Sequence, residues 1–172
     1  RSAIEPTEDD LNWWKKQLAL PPEKRLFQVK LYLALEQSRV DGFEDAISWM
    51  PHGRAFKIND KKKFEVQVLG PYLKMKPVYK SIIRQFSVYG LLRLTNANGR
   101  ESSGAYYNEY FLRGRPALLH RMKTVRTKGT GIRPAVNCNE EPDLFSMPSC
   151  ENMMEVSWRN VSSLEYFDTL PE

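Results

Sequence analysis

The side chains in this chain best suited to recognition chemistry are Lys80, Ser81, Arg84 and Ser87, with Gln85 among them. Turning about 100° per residue, residues 79–89 divide into two faces. Tyr89, Ile82, Phe86 and Ile83 share one arc of about 120°. Lys80, Arg84, Val88 and Ser81 share the other, with Gln85 and Ser87 at its edges. One face needs a core to bury it, and the other is cationic and rich in hydrogen-bond donors. An arginine presents a planar fork of donors, a lysine a mobile point charge, and a serine a hydroxyl. Exposed helices ordinarily mix charge signs, yet no acidic residue falls between Glu65 and Glu101. Such a face either meets a polyanion or simply faces water.

More cations flank this helix. Lys74 and Lys76 precede it, and Arg93 and Lys123 follow; all four are candidate phosphate contacts. Tyr89 is expected to pack in the core with its hydroxyl free for a phosphate. Lys61, Lys62 and Lys63 read as a solvated helix start, with DNA contact and a share in a nuclear-localisation patch as the alternatives. Enzymatic chemistry has little support. The only histidines are His52 and His120, and no metal-ligand spacing joins them to Cys138 and Cys150. No glycine-rich phosphate loop follows a strand. No cofactor is implied.

The chain has 172 residues, 41% hydrophobic and 27% charged, which suits one domain with tails and excludes wholesale disorder. No run of about 18 apolar residues could span a bilayer, so no membrane role is expected. The first residues lack the basic-then-apolar layout of a secretory signal, and two cysteines fit a reducing compartment. The net charge of +5 is unevenly spread. Residues 1–22 carry three basic and four acidic side chains; residues 23–133 carry 22 and nine; residues 134–172 carry one and eight. A basic centre beside an acidic tail is the asymmetry expected of a polyanion binder.

The elements that must position these residues follow from periodicity and breakers. Residues 5–20 form a short amphipathic helix, closed by Pro21 and Pro22. Residues 26–38 carry apolar side chains at helical spacing. Residues 47–49 and 55–58 are short strands around a turn at His52 and Gly53. Asn59 or Asp60 caps a helix carrying Phe64, Val66, Val68 and Leu69. Pro77 marks the start of the helix over residues 79–89, and Gly90 ends it. Residues 91–94 are a strand, 95–104 a flexible loop, 106–112 an aromatic-rich strand, and 116–123 a short helix. Trp49, Phe56, Phe64, Phe86 and Phe111 are core. The order suits an α+β winged helix-turn-helix, with a three-helix core, a small antiparallel β-sheet and a wing loop.

Specific motifs sharpen this. Phe27-x-x-Lys30-Leu31-Tyr32 is followed by Trp49-x-Pro51-x-Gly53-x-x-Phe56-x-Ile58-x-Asp60-x-x-x-Phe64 and then Val68-Leu69. Tyr72-Leu73-Lys74, Ser81-x-x-Arg84-Gln85-Phe86-x-x-Tyr89-Gly90, Tyr106 and Phe111-x-Arg113-Gly114-x-x-x-Leu118-Leu119 come next. Over about residues 25–124 this resembles the DNA-binding domain of heat shock transcription factors. The resemblance implies that Arg84 reads the guanine of a GAA element, and that Lys74, Arg93 and Lys123 occupy basic positions near DNA. Phe86-Ser87 stands where the family has Leu-Asn, Leu91 where it has Phe, and Asn108 where it has His. The approach to the recognition helix is one residue longer, at Met75-Lys76-Pro77. No trimerising heptads follow in residues 125–172, so the oligomerisation segment is not visible.

The resulting expectation is a nuclear, sequence-specific transcription factor that binds double-stranded DNA at GAA-type repeats. Base contacts fall to Arg84, Ser81, Lys80 and Ser87, and phosphate contacts to Lys74, Lys76, Gln85, Tyr89, Arg93 and Lys123. Residues 1–22 form an N-terminal extension, 23–124 the DNA-binding domain, and 125–172 an acidic, largely disordered tail. In that tail, Asp143-Leu144-Phe145 and Leu164-Glu165-Tyr166-Phe167-Asp168 read either as segments that dock on transcription co-regulators or as plain linker. A winged-helix protein-interaction module, an architectural DNA binder and a nuclease are the alternatives.

Overall fold

The computed structural model describes residues 5–95, 103–125 and 142–150. Helix α1 (Glu8–Ala19) begins at a reciprocal cap: the Thr7 side chain accepts from the Asp10 amide, and the Asp10 carboxylate accepts from the Thr7 amide. Three acids in its first turn oppose the helix dipole, and Pro21 and Pro22 follow its end. Arg25 then folds back, donating to the Leu18 carbonyl and to the Gln17 carbonyl, which also accepts from the Leu20 amide. Helix α2 (Phe27–Asp41) is buried on nearly every side, which explains why its sequence is apolar beyond a single stripe.

Strands β1 (Ile47–Trp49) and β2 (Ala55–Ile58) pair antiparallel through the His52-Gly53 turn, with Trp49 opposite Phe56. Gly53 has φ +71°, and a Cβ there would stand 3.0 Å from the Cβ atoms of Arg113 and Cys150. Asp60 caps α3 (Lys61–Phe64) by accepting from the Lys63 amide. This helix then widens into a π turn over Glu65–Leu69. Phe64, Val68 and Leu69 face the core, while Val66, about 200° round the helix from Phe64, is exposed.

Helix α4 (Tyr79–Val88) leads to β3 (Leu92–Arg93), which pairs with β4 (Tyr106–Tyr107). The sheet order is β1-β2-β4-β3, antiparallel throughout, with Phe56 opposite Tyr106. Both late strands are shorter than the sequence suggests. The Asn108 carboxamide oxygen accepts from the Tyr110 amide at 2.9 Å, turning the chain where the aromatic pattern would have continued the strand. The wing loop falls mostly on residues 96–102, outside the described residues. The fold is α+β: helices packed on a small antiparallel sheet.

The core is aromatic. Tyr32 sits at its centre, edge-on to Trp14, Trp49 and Phe111, and its hydroxyl accepts from the Gly114 amide at 2.8 Å. Trp49, Phe56, Phe64, Phe86 and Phe111 are all buried, as expected. A 3-10 turn at Pro116–Arg121 closes the domain and receives α1. There Asp10 is bonded by His120 and Arg121, and Trp13 stacks on the His120 ring with centroids 5.0 Å apart. Residues 142–150 also lie against the domain: Leu144 packs with Met50, Ala55, Leu94 and Ala105 at the sheet end from which the wing departs.

Candidate nucleic-acid interface

Helix α4 is held by its apolar face. Ile82 and Phe86 are fully buried. The Phe86 ring lies 4.8 Å from Tyr106, 5.5 Å from Phe56 and 6.1 Å from Phe27, so sheet and α2 both grip it. Ile83 and Tyr89 are half-buried at the margin, and Tyr89 packs on Phe27 at 5.1 Å. The exit is fixed by Gly90, at φ +73°, whose carbonyl accepts from the Asn108 side-chain amide at 3.0 Å.

On the outer face Lys80, Ser81 and Arg84 are exposed together. Lys80 and Arg84 form no ion pair among the described residues. The guanidinium fork of Arg84 is therefore available to a ligand. Gln85 is half-buried at the edge of this face. Ser87 is half-buried too, and its hydroxyl donates to the Ile83 carbonyl at 3.3 Å, leaving its lone pairs for any incoming donor. The first turn of α4 contains no acid and Val78 supplies no side-chain cap.

The flanking cations come from three directions. The approach is anchored by buried Leu73 and by Tyr72, whose hydroxyl donates to Asp41 and whose ring packs on Phe43. That anchoring places Lys74 and Lys76 just ahead of α4, Lys74 with a left-handed backbone at φ +55°. Lys30 on α2 lies beside Lys74: burial lowers its pKa, the Lys74 charge adds to this and Glu23 opposes it. Arg93 is exposed on the edge strand β3. Lys123 is exposed beside the far end of α4, because the Val125 amide donates to the Val88 carbonyl at 2.6 Å.

Two residues in this region carry more than their sequence positions suggested. Lys61 lies with its ammonium 4.7 Å from the centre of the Tyr79 ring, at the start of α4. Asn108 joins β4 to the end of α4. Each has a signal only in three dimensions, since both depend on a partner at least 18 residues away.

The titratable pair outside this face is not poised for catalysis. Burial and the nearby Arg54 and Arg113 charges hold His52 down at about 4, so it is neutral near pH 7. Burial pushes the Cys150 thiol up, keeping it protonated.

The profile of the HSF-type DNA-binding family matches residues 27–125. The chain belongs to that family. The HSF-type domain thus spans α2 to the residues just beyond the closing 3-10 turn, and its family is a DNA-binding transcription-factor fold, not an enzyme. The chain is 29% identical over 90 residues to the heat shock transcription factor of Saccharomyces cerevisiae, a match that covers 49% of this chain and only 10% of that protein's length. Among solved structures, Skn7 of Chaetomium thermophilum with SSRE DNA superposes with a TM-score of 0.50 at 21% identity, covering 58% of this chain and 98% of that one. The same protein with HSE DNA gives a TM-score of 0.47 at 23% identity, covering 56% and 97%. The winged helix-turn-helix fold is therefore that of the HSF-type domain. No helix among the described residues is long and apolar enough to cross a membrane.

Proposed function

We propose that the protein is a sequence-specific transcription factor of the nucleus that binds double-stranded DNA and reads GAA-type elements with α4. The observation that carries this is the outer face of α4: Lys80, Ser81 and Arg84 exposed side by side, with no carboxylate paired to either cation among the described residues. A helix of this width fits the major groove, where guanine offers O6 and N7 to a two-pronged donor. Arg84 takes that role, Ser81, Lys80 and Ser87 contact neighbouring base edges, and Lys74, Lys76, Gln85, Tyr89, Arg93 and Lys123 hold the phosphates that set register. The family membership and the DNA named with the Skn7 structures support the same reading.

In this reading residues 23–124 are the reader, residues 1–22 an extension, and residues 125–172 an acidic tail that meets transcription co-regulators through residues 164–168, since Leu144 is taken up by the domain. The test is a titration of a GAA-repeat duplex and a scrambled duplex across salt. Expected are a preference for the repeat and affinity that falls steeply as salt rises. A salt slope without preference would mean an architectural binder, and neither would mean a protein-docking module.

A further inference from the structure

We propose that Lys61 is a DNA-phosphate contact of the same interface as α4, and that Lys63, two residues along the same lysine run, is not. The inference rests on the proposed reading of α4 and assigns a further contact to it.

Three lysines in a row look equivalent in sequence, yet they diverge in space. Asp60 fixes the start of α3 by accepting from the Lys63 amide. From that fixed start Lys63 reaches back to Asp45 and forms an ion pair with it. Its charge is spent at the far side of the helix, against the loop before β1. Lys61 turns the other way. Its ammonium rests over the Tyr79 ring at 4.7 Å, while the Tyr79 ring meets Phe64 of α3 at 6.5 Å. A tyrosine face attracts a cation without neutralising it. Lys61 is exposed and forms no ion pair among the described residues, although Glu65 lies one turn further on.

Tyr79 is the first residue of the proposed recognition helix. Lys61 is therefore held against the first residue of α4. Arg93, on the sheet side, also acts electrostatically on Tyr79. Glu65 acts on the same ring with the opposite sign, so the start of α4 is met by Lys61 from α3 and Arg93 from β3 with an acid of the π turn in reach. In helix-turn-helix readers the helix before the recognition helix crosses the sugar-phosphate backbone. Here α3 is that helix, and Lys61 is the member of its lysine run turned toward α4.

The test compares Lys61→Gln, Lys63→Gln and Lys61→Arg in the full chain, with the repeat and scrambled duplexes across salt. Each neutralising change removes one charge from an exposed site, and thermal unfolding checks that the fold is kept. Expected for Lys61→Gln is a slope of log affinity against log salt that is shallower by about 0.9, with both duplexes weakened by the same factor and the preference between them intact. Lys63→Gln should keep the wild-type slope, and Lys61→Arg should restore it. A wild-type slope in Lys61→Gln, or equal losses in the two glutamine variants, overturns the assignment while leaving α4 as the reader. Absence of any repeat preference or salt slope in the wild type overturns the reading of α4 itself, and the Lys61 contact with it.

Discussion

The Asn108 side chain spans two elements: its amide donates to the Gly90 carbonyl at 3.0 Å while its oxygen accepts from the Tyr110 amide at 2.9 Å. One carboxamide therefore ends β4 and fixes the exit of α4. Asn108→Ala should strand both backbone groups and lower stability by about 1–3 kcal/mol. The check is urea unfolding, where the midpoint should fall at an unchanged slope. An unchanged midpoint would show that water replaces both bonds at no cost.

Arg84 is exposed and unpaired among the described residues, so its loss should spare the fold. Arg84→Ala should cost about 1–3 kcal/mol of discrimination between repeat and scrambled duplexes. Arg84→Lys should restore part of the affinity but not the discrimination, because a lysine lacks the fork. Equal preference in wild type and Arg84→Ala would remove Arg84 from the readout.

Acid should destabilise the protein in two separate windows. His52 is held down at about 4 by burial and by the Arg54 and Arg113 charges. The unfolded chain takes up this proton near pH 6.5 and the folded one resists until about 4, so stability is full above that window and falls by about 3 kcal/mol across it. His52→Asn, which retains an acceptor for the Arg54 amide, should flatten the stability profile between pH 6.5 and 4.

Asp10 acts lower. Burial raises its pKa, but hydrogen bonds from the Thr7 backbone, Arg121 and His120 outweigh this and bring it to about 2. Its contribution, about 2 kcal/mol, is present above the unfolded value near 4 and is lost as pH falls through 2. Asp10→Asn should be less stable at neutral pH and should lose its pH dependence between 4 and 2. Circular dichroism during acid titration measures both windows.

Leu144 plugs the apolar cluster at the root of the wing, and Cys150 closes the same segment with its amide on the His52 carbonyl at 2.9 Å. Leu144→Ala should destabilise the domain by about 2 kcal/mol. In a Cys138→Ser background it should also speed labelling of the Cys150 thiol, which is 3% exposed. Unchanged labelling would mean that residues after Leu144 hold themselves in place.

Local patterns in the chain were enough for the helices. The split of α4 into Ile82 and Phe86 against Lys80, Ser81 and Arg84 survives in three dimensions because helical periodicity is a local property. The Thr7 and Asp60 caps, the Pro21-Pro22 stop and the His52-Gly53 turn are local as well. Aromatic alternation overstated β4, because a side chain competing for the Tyr110 amide is invisible to a period-2 pattern.

By itself the sequence determined the family, the aromatic core and which helix carries an acid-free cationic face, since composition and short-range spacing decide these. Tertiary structure decided how identical residues differ. It alone sends Lys63 to Asp45 and Lys61 to Tyr79, buries His52 as a neutral ring, and brings Leu144 back to the sheet. Charge, burial and hydrogen bonding act between neighbours in space, and those neighbours stand 18 or more positions apart for both lysines.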